Sequence, residues 1–127
     1  MTNVLGKYSN QLYAIMRIVV GASFAVHGAQ KLFGVLGGTK VPLASLYGAA
    51  GVIELVGGVL VAIGLLGSFA AFIASGQMAV AFWMAHFPKG FWPVLNGGEL
   101  AVLYCFVFLY IAAKGAGIWS VDGALRR

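Results

Sequence analysis

Charge is what this sequence has least of. Of 127 residues only 9% are charged, with eight Lys or Arg against three Asp or Glu, whereas about a quarter is usual in soluble domains. So few charges cannot coat a water-facing globule, and 61% of the residues are hydrophobic, for a mean hydropathy of +0.96. Cysteine is nearly absent as well. The single Cys105 excludes an intramolecular disulfide, a CxxC pair and a thiolate metal cluster, and no metal site is expected. The length fits one domain, residues 1–127, in a lipid bilayer.

Long apolar runs are what the chain has instead. A spanning helix needs about 20 mostly apolar residues, and four such stretches can be laid out: 12–33, 43–66, 69–87 and 93–113. The intervening breaks are Gly37-Gly38-Thr39-Lys40-Val41-Pro42, Gly67-Ser68 and Pro88-Lys89-Gly90-Phe91-Trp92-Pro93, which combine flexible and helix-breaking residues. The expected fold class is therefore all-α, a polytopic four-transmembrane-helix bundle with short loops. The first run is too long, and too interrupted by Arg17, for a cleaved signal peptide. A soluble four-helix bundle would carry polar outer faces, which Val59-Leu60-Val61 and Phe69–Ile73 do not leave room for.

Four crossings would put both termini on one side, with Lys7, Arg17, Lys114, Arg126 and Arg127. Lys31, Lys40 and Lys89 would lie on the other. That bias favours cytoplasmic termini. The net charge of +5 then reflects topology, and no nucleic-acid partner is expected. Tyr8, Tyr13, Trp83, Trp92 and Trp119 fall near predicted helix ends, where amphipathic rings settle at the interface. Phe24-x-x-His27 followed by Lys31, and Phe82-x-x-x-His86 followed by Lys89, form a weak internal echo.

The informative residues are the polar ones inside the spans. An ionisable group at a helix centre costs about 2.5–3.5 kcal/mol. The second stretch holds twelve Leu, Ile or Val, each favourable by about 0.3–0.6 kcal/mol, so Glu54 forfeits roughly half that gain. Ala50, Glu54, Gly58 and Ala62 recur every four residues and share a face that small side chains let approach another helix. Arg17, Ser23, His27, Gln30 and Lys31 fall on one arc of the first helix; Ile15, Val19, Val26 and Phe33 lie opposite, toward lipid. Gln77, Ala81 and Ala85 share a face of the third.

Depth brings His27, Gln30, Lys31, Glu54, Gln77, His86 and Glu99 toward one outer-leaflet pocket, so these seven are the candidate ligand-binding or proton-handling residues. Glu54 reads either as a buried partner of Lys31, Arg17 or His27, or as a proton-exchanging carboxyl. Glu99 is also favoured simply by its place near a helix N-terminus. His27 and His86 have the spacing to ligate a haem, but paired histidines in a membrane bundle more often hydrogen-bond or bind a quinone head group. A quinone is thus the expected cofactor, lined by Phe24, Phe82 and Trp83, and haem is not. Cys105 reads as a packed small hydrophobe. Gly21, Ala25 and Ala29 offer a face for a homo-oligomer.

The segments Met16-Arg17-Ile18-Val19-Val20-Gly21…Phe24-x-x-His27-Gly28-x-x-Lys31-Leu32-Phe33-Gly34 and Gly51-Val52-Ile53-Glu54-Leu55-Val56-Gly57-Gly58…Gly64-Leu65, with Asn96-Gly97-Gly98-Glu99 and the tail Gly117-Ile118-Trp119-Ser120-Val121-Asp122, resemble the DoxX family of small bacterial inner-membrane proteins. The resemblance implies four membrane helices with cytoplasmic ends and a link to redox metabolism. Some relatives are described as small subunits of thiosulfate:quinone oxidoreductases, and others as acting with soluble superoxide dismutase and sulfurtransferase partners or in resistance to quinones. The resemblance carries over no catalytic residues. Without a dithiol or a nucleotide fingerprint, a self-sufficient oxidoreductase is not expected. The expectation is an inner-membrane accessory protein of a redox or oxidative-stress system whose polar pocket binds a quinone-like ligand. The alternatives are a non-catalytic scaffold recruiting soluble oxidoreductases and a small transporter.

Overall fold

The computed structural model describes residues 3–126, and every regular element among them is helical. The order is α1 (Ser9–Phe33), α2 (Leu46–Ile63), α3 (Gly67–Ala81), α4 (Pro93–Asn96), α5 (Glu99–Lys114) and α6 (Val121–Leu125). A short 3₁₀ turn, Gly6–Tyr8, leads into α1. Beyond α3 the helix runs on through a π turn at Phe82–His86 and a 3₁₀ turn at Phe87–Lys89.

Three helical stretches are long and apolar enough to cross a bilayer: Gly6–Phe33, Leu46–Ile63 and Gly67–Lys89. The expected fourth span, 93–113, is not one of them. Gly97 adopts a left-handed conformation at φ 77°, and the stretch divides there into the one-turn α4 and the 16-residue α5. At 1.5 Å per residue α5 reaches about 24 Å, short of a hydrocarbon core of about 30 Å. Buried Asn96 holds the break together: its Nδ2 donates to Gly90 O at 2.8 Å, and its Oδ1 accepts from Gly98 N at 2.8 Å. The four-crossing bundle is therefore corrected to an all-α fold with three long apolar helices.

Glycine sets how closely α1 and α2 approach. A Cβ on Gly28 would lie 2.3 Å from Leu55 N, and one on Gly58 2.4 Å from Ala25 N. Gly21 meets Gly58 and Ala62 in the same seam. Gly21 and Ala25 thus pack inside the chain rather than offering a face to a second copy. α3 packs along α5, where Ser75 Oγ donates to Cys105 O at 2.7 Å. Phe24 joins the two pairs by packing on Tyr104 and Phe108 of α5. Ile15, Val19, Val26 and Phe33 of α1 are exposed, as a lipid-facing surface requires.

The end of the bundle formed by the start of α1, the α2–α3 turn and the segment after α5 is closed by polar side chains. Arg17 is 0% exposed. Its guanidinium donates to the carbonyls of Val61 at 3.0 Å and Ala62 at 3.3 Å, to Ile118 at 3.0 Å and Trp119 at 2.7 Å, and also to Ala116. Val61 and Ala62 belong to the last turn of α2, whose carbonyls lack i+4 helical donors, Val61 O taking only the cap contact from Gly64 N at 3.2 Å, and whose dipole favours a cation. Arg17 is therefore no partner of Glu54. Tyr13 is also buried, its hydroxyl donating to Gly115 O at 2.7 Å, and is not an interfacial ring. Asp122 accepts from Leu66 N and Gly67 N, each at 2.9 Å, capping the start of α3. At the opposite end Trp83, Phe87, Phe91 and Trp92 touch one another in series and are exposed, the position of an interfacial aromatic belt.

Candidate functional site

The close approach at Gly28 explains how the site forms. Lys31 follows Gly28 by three residues and so rises from the same face of α1, directly opposite Glu54 on α2. Lys31 Nζ donates to Glu54 Oε1 at 2.6 Å. The other carboxylate oxygen, Oε2, accepts from Gln77 Nε2 of α3 at 3.1 Å. Glu54 is 1% exposed, against 30% for the Lys31 side chain. One carboxylate thereby ties three helices together, and a charge costly in isolation is offset by a cation and an amide donor.

The amide orientation of Gln77 follows from this contact, since the group facing a carboxylate must be the donor. Its Oε1 is consequently the one buried side-chain nitrogen or oxygen atom with no hydrogen-bond partner among the described residues. Buried acceptors are nearly always satisfied, so this oxygen is the acceptor at the site still free to take a hydrogen bond.

Lys31, Glu54 and Gln77 lie in the wall of a cavity of about 600 Å³, within the usual range for small-molecule sites. His27 and His86 line it too. His27 sets its ring edge-on to Tyr104, centroids 6.0 Å apart. His86 is held from the π turn by a 3.3 Å contact between Nδ1 and Asn96 O. The rest of the wall is apolar or aromatic. Five of the seven candidates therefore meet in one space. Gln30 turns away and donates to Leu36 O at 3.0 Å, fixing the loop after α1. Glu99 is exposed at the start of α5 and does not line the cavity. The aromatic lining also differs from expectation: Phe24 contributes, but Tyr47 and Tyr104 stand where Phe82 and Trp83 were expected. The buried stripe Ala101, Tyr104, Phe108, Ile111 on α5 follows helical spacing and was the signal for Tyr104. Among the described residues no cluster of three His, Cys, Asp or Glu is spaced to hold a metal ion.

Residues 12–87 match the family model described as DoxX. The chain belongs to the DoxX family. The matched stretch contains Lys31, Glu54, Gln77, His27 and His86, so the carboxylate cluster lies within the family's own region. A Haemophilus influenzae protein described as uncharacterized is 42% identical over 127 residues, covering 94% of this chain and 95% of its own length. No solved structure matches. Family membership together with several long apolar helices identifies a multi-pass protein of the bacterial inner membrane.

Proposed function

We propose that this DoxX-family protein serves a redox or oxidative-stress system as a membrane-bound accessory subunit, and that its cavity binds a quinone-like ring compound. The observation that carries this reading is the Lys31–Glu54–Gln77 cluster in the wall of an otherwise apolar cavity. Such a wall favours a neutral ligand that is mostly hydrocarbon with a few hydrogen-bonding groups. A ring carbonyl would accept from Lys31 Nζ, a ring hydroxyl would supply the donor that Gln77 Oε1 lacks, and Glu54 is the group within reach to exchange a proton. Tyr47, Tyr104 and Phe24 give flat faces for an aromatic or quinonoid ring. Soluble oxidoreductases are the partners such a subunit would serve. Exposed Lys114 and Arg126 lie on the polar end of the bundle, and cytoplasmic termini would present them to such enzymes.

The test is to purify the protein in dodecyl maltoside, extract bound lipophiles and measure thermal shifts on adding a short-chain ubiquinone. Quinone is expected in the extract, and Glu54→Gln is expected to reduce the ligand-induced shift relative to its own ligand-free midpoint. Absence of quinone from the extract together with no shift in the wild type refutes the reading.

A further inference from the structure

The cavity is asymmetric in a way that bears on how a ligand reaches it. The Lys31–Glu54–Gln77 cluster lies on its inner side, where Glu54 is buried among α1, α2 and α3. The cavity's other side is formed largely by exposed residues of two helices, Leu46, Tyr47 and Ala49 of α2 and Ile73, Gly76 and Val80 of α3, with Met84 of the π turn and Leu100 of α5 exposed at its far rim. α2 and α3 are joined by the tight turn at Gly64–Gly67, so these residues, remote from that turn, flank a gap between the two helices.

The depth of that gap decides what lies outside it. Gly76 is nine residues into the helical stretch Gly67–Lys89, which at 1.5 Å per residue is about 14 Å along it. That is close to the middle of a hydrocarbon core of about 30 Å. At Gly76 the opening therefore faces acyl chains, and Leu46 and Tyr47, which begin α2, carry it toward the interface. Gly76 itself is part of the opening: a Cβ built on it meets nothing within 4 Å.

We infer that the cavity is filled laterally from the bilayer, through the α2–α3 gap, by a neutral membrane lipid whose polar ring reaches Lys31, Glu54 and Gln77 and whose apolar chain stays between Leu46–Ala49 and Ile73–Val80. The inference rests on the ligand-binding reading above and adds the route and the chain. A chain left in the gap keeps its hydrocarbon among lipid tails, while the ring exchanges a shallow position for hydrogen bonds at depth.

Gly76 supplies a probe that the fold tolerates, because a larger side chain there enters open space. Gly57 is a matched control, since a Cβ on it also meets nothing within 4 Å and it does not line the cavity. The wild type and the variants Gly76→Leu and Gly57→Leu would be placed in phosphatidylcholine nanodiscs. A benzoquinone bearing an isoprenoid chain with a terminal diazirine would then be photo-crosslinked, and the labelled peptides mapped by mass spectrometry. Saturable labelling is expected within residues 46–50 and 73–80. Gly76→Leu is expected to weaken it about tenfold, because its side chain occupies the room the ligand's chain needs and the bound complex becomes overpacked, with Gly57→Leu unchanged. Saturable labelling elsewhere, or equal labelling in both variants, overturns the lateral route while leaving the ring-binding reading standing. Loss of saturable labelling in the wild type, when the chain-free ring still shifts its melting, overturns the chain's place in the gap. Failure of both probes overturns the two together.

Discussion

Replacing Arg17 should do more damage than any other single change in the first helix. The guanidinium donates to five backbone carbonyls, two at the end of α2 and three in the segment after α5. Arg17→Met keeps much of the length and removes every donor. Hydrogen bonds from a charged donor contribute about 1.5–3 kcal/mol each when taken singly, but five such values cannot be summed, because desolvating the cation offsets most of them. The better guide is the cost of leaving a buried acceptor without its donor, about 1–3 kcal/mol each, so losing a donor group shared by five carbonyls should exceed the cost of any one. Arg17→Lys retains the charge but offers three donors in place of five, so it should fall between Met and the wild type. Unfolding in mixed detergent micelles measures the loss, and hydrogen exchange locates it. Residues 116–119 should lose protection first, ahead of the Lys31–Glu54 contact. A Met variant within about 1 kcal/mol of wild type, where surface substitutions usually fall, with 116–119 still protected, would refute the reasoning.

Asp122 gives a pH dependence. The Gly67 backbone N–H above all, then that of Leu66, and the cations Arg126 and Arg17, hold its carboxyl below its ordinary value of 3.8 against an opposing effect of burial. A carboxyl lowered in the folded state adds stability that is complete above the ordinary value and lost as pH falls through the lowered one. Protection of Leu66 and Gly67 should therefore decline on acidification below about pH 4, and Asp122→Asn should abolish that pH dependence; an unchanged acid profile in the variant would contradict it. Gly28→Ala should separate α1 from α2, because its Cβ would meet backbone atoms of Leu55 and Gly51 inside 3 Å. A loss of about 1–3 kcal/mol is expected in the same unfolding assay, against none for Gly57→Ala.

Hydropathy alone made the three long helices legible, because a bilayer demands length and apolarity and little else. It failed at 93–113, where apolar residues continue across Gly97-Gly98 but the backbone does not: the break depends on one positive φ and on Asn96 bonding both sides of it. Glu54 was legible from its cost, and Lys31 and Gln77 from their helical faces. Gln30 and Glu99 were not separable from them, since depth along a helix is a coarse coordinate and one residue turns a side chain by about 100°. The clamp around Arg17 left no trace in the sequence, because its acceptors are main-chain carbonyls that any residue supplies. The same holds for the α1–α2 contact, where Gly21 and Ala25 read equally well as an internal or an external face until α2 is seen against them.

The Arg17 contacts also impose an order on assembly. When α1 and α2 have inserted, only Val61 and Ala62 are present to receive the guanidinium; the remaining acceptors, at 116, 118 and 119, emerge from the ribosome more than fifty residues later. Until then the first hairpin carries a half-satisfied cation at its end and is held open to water or headgroups there. The final stretch of chain thus acts as a seal on the earliest one, and a polypeptide ending before residue 116 would leave the Arg17 guanidinium without three of its five acceptors.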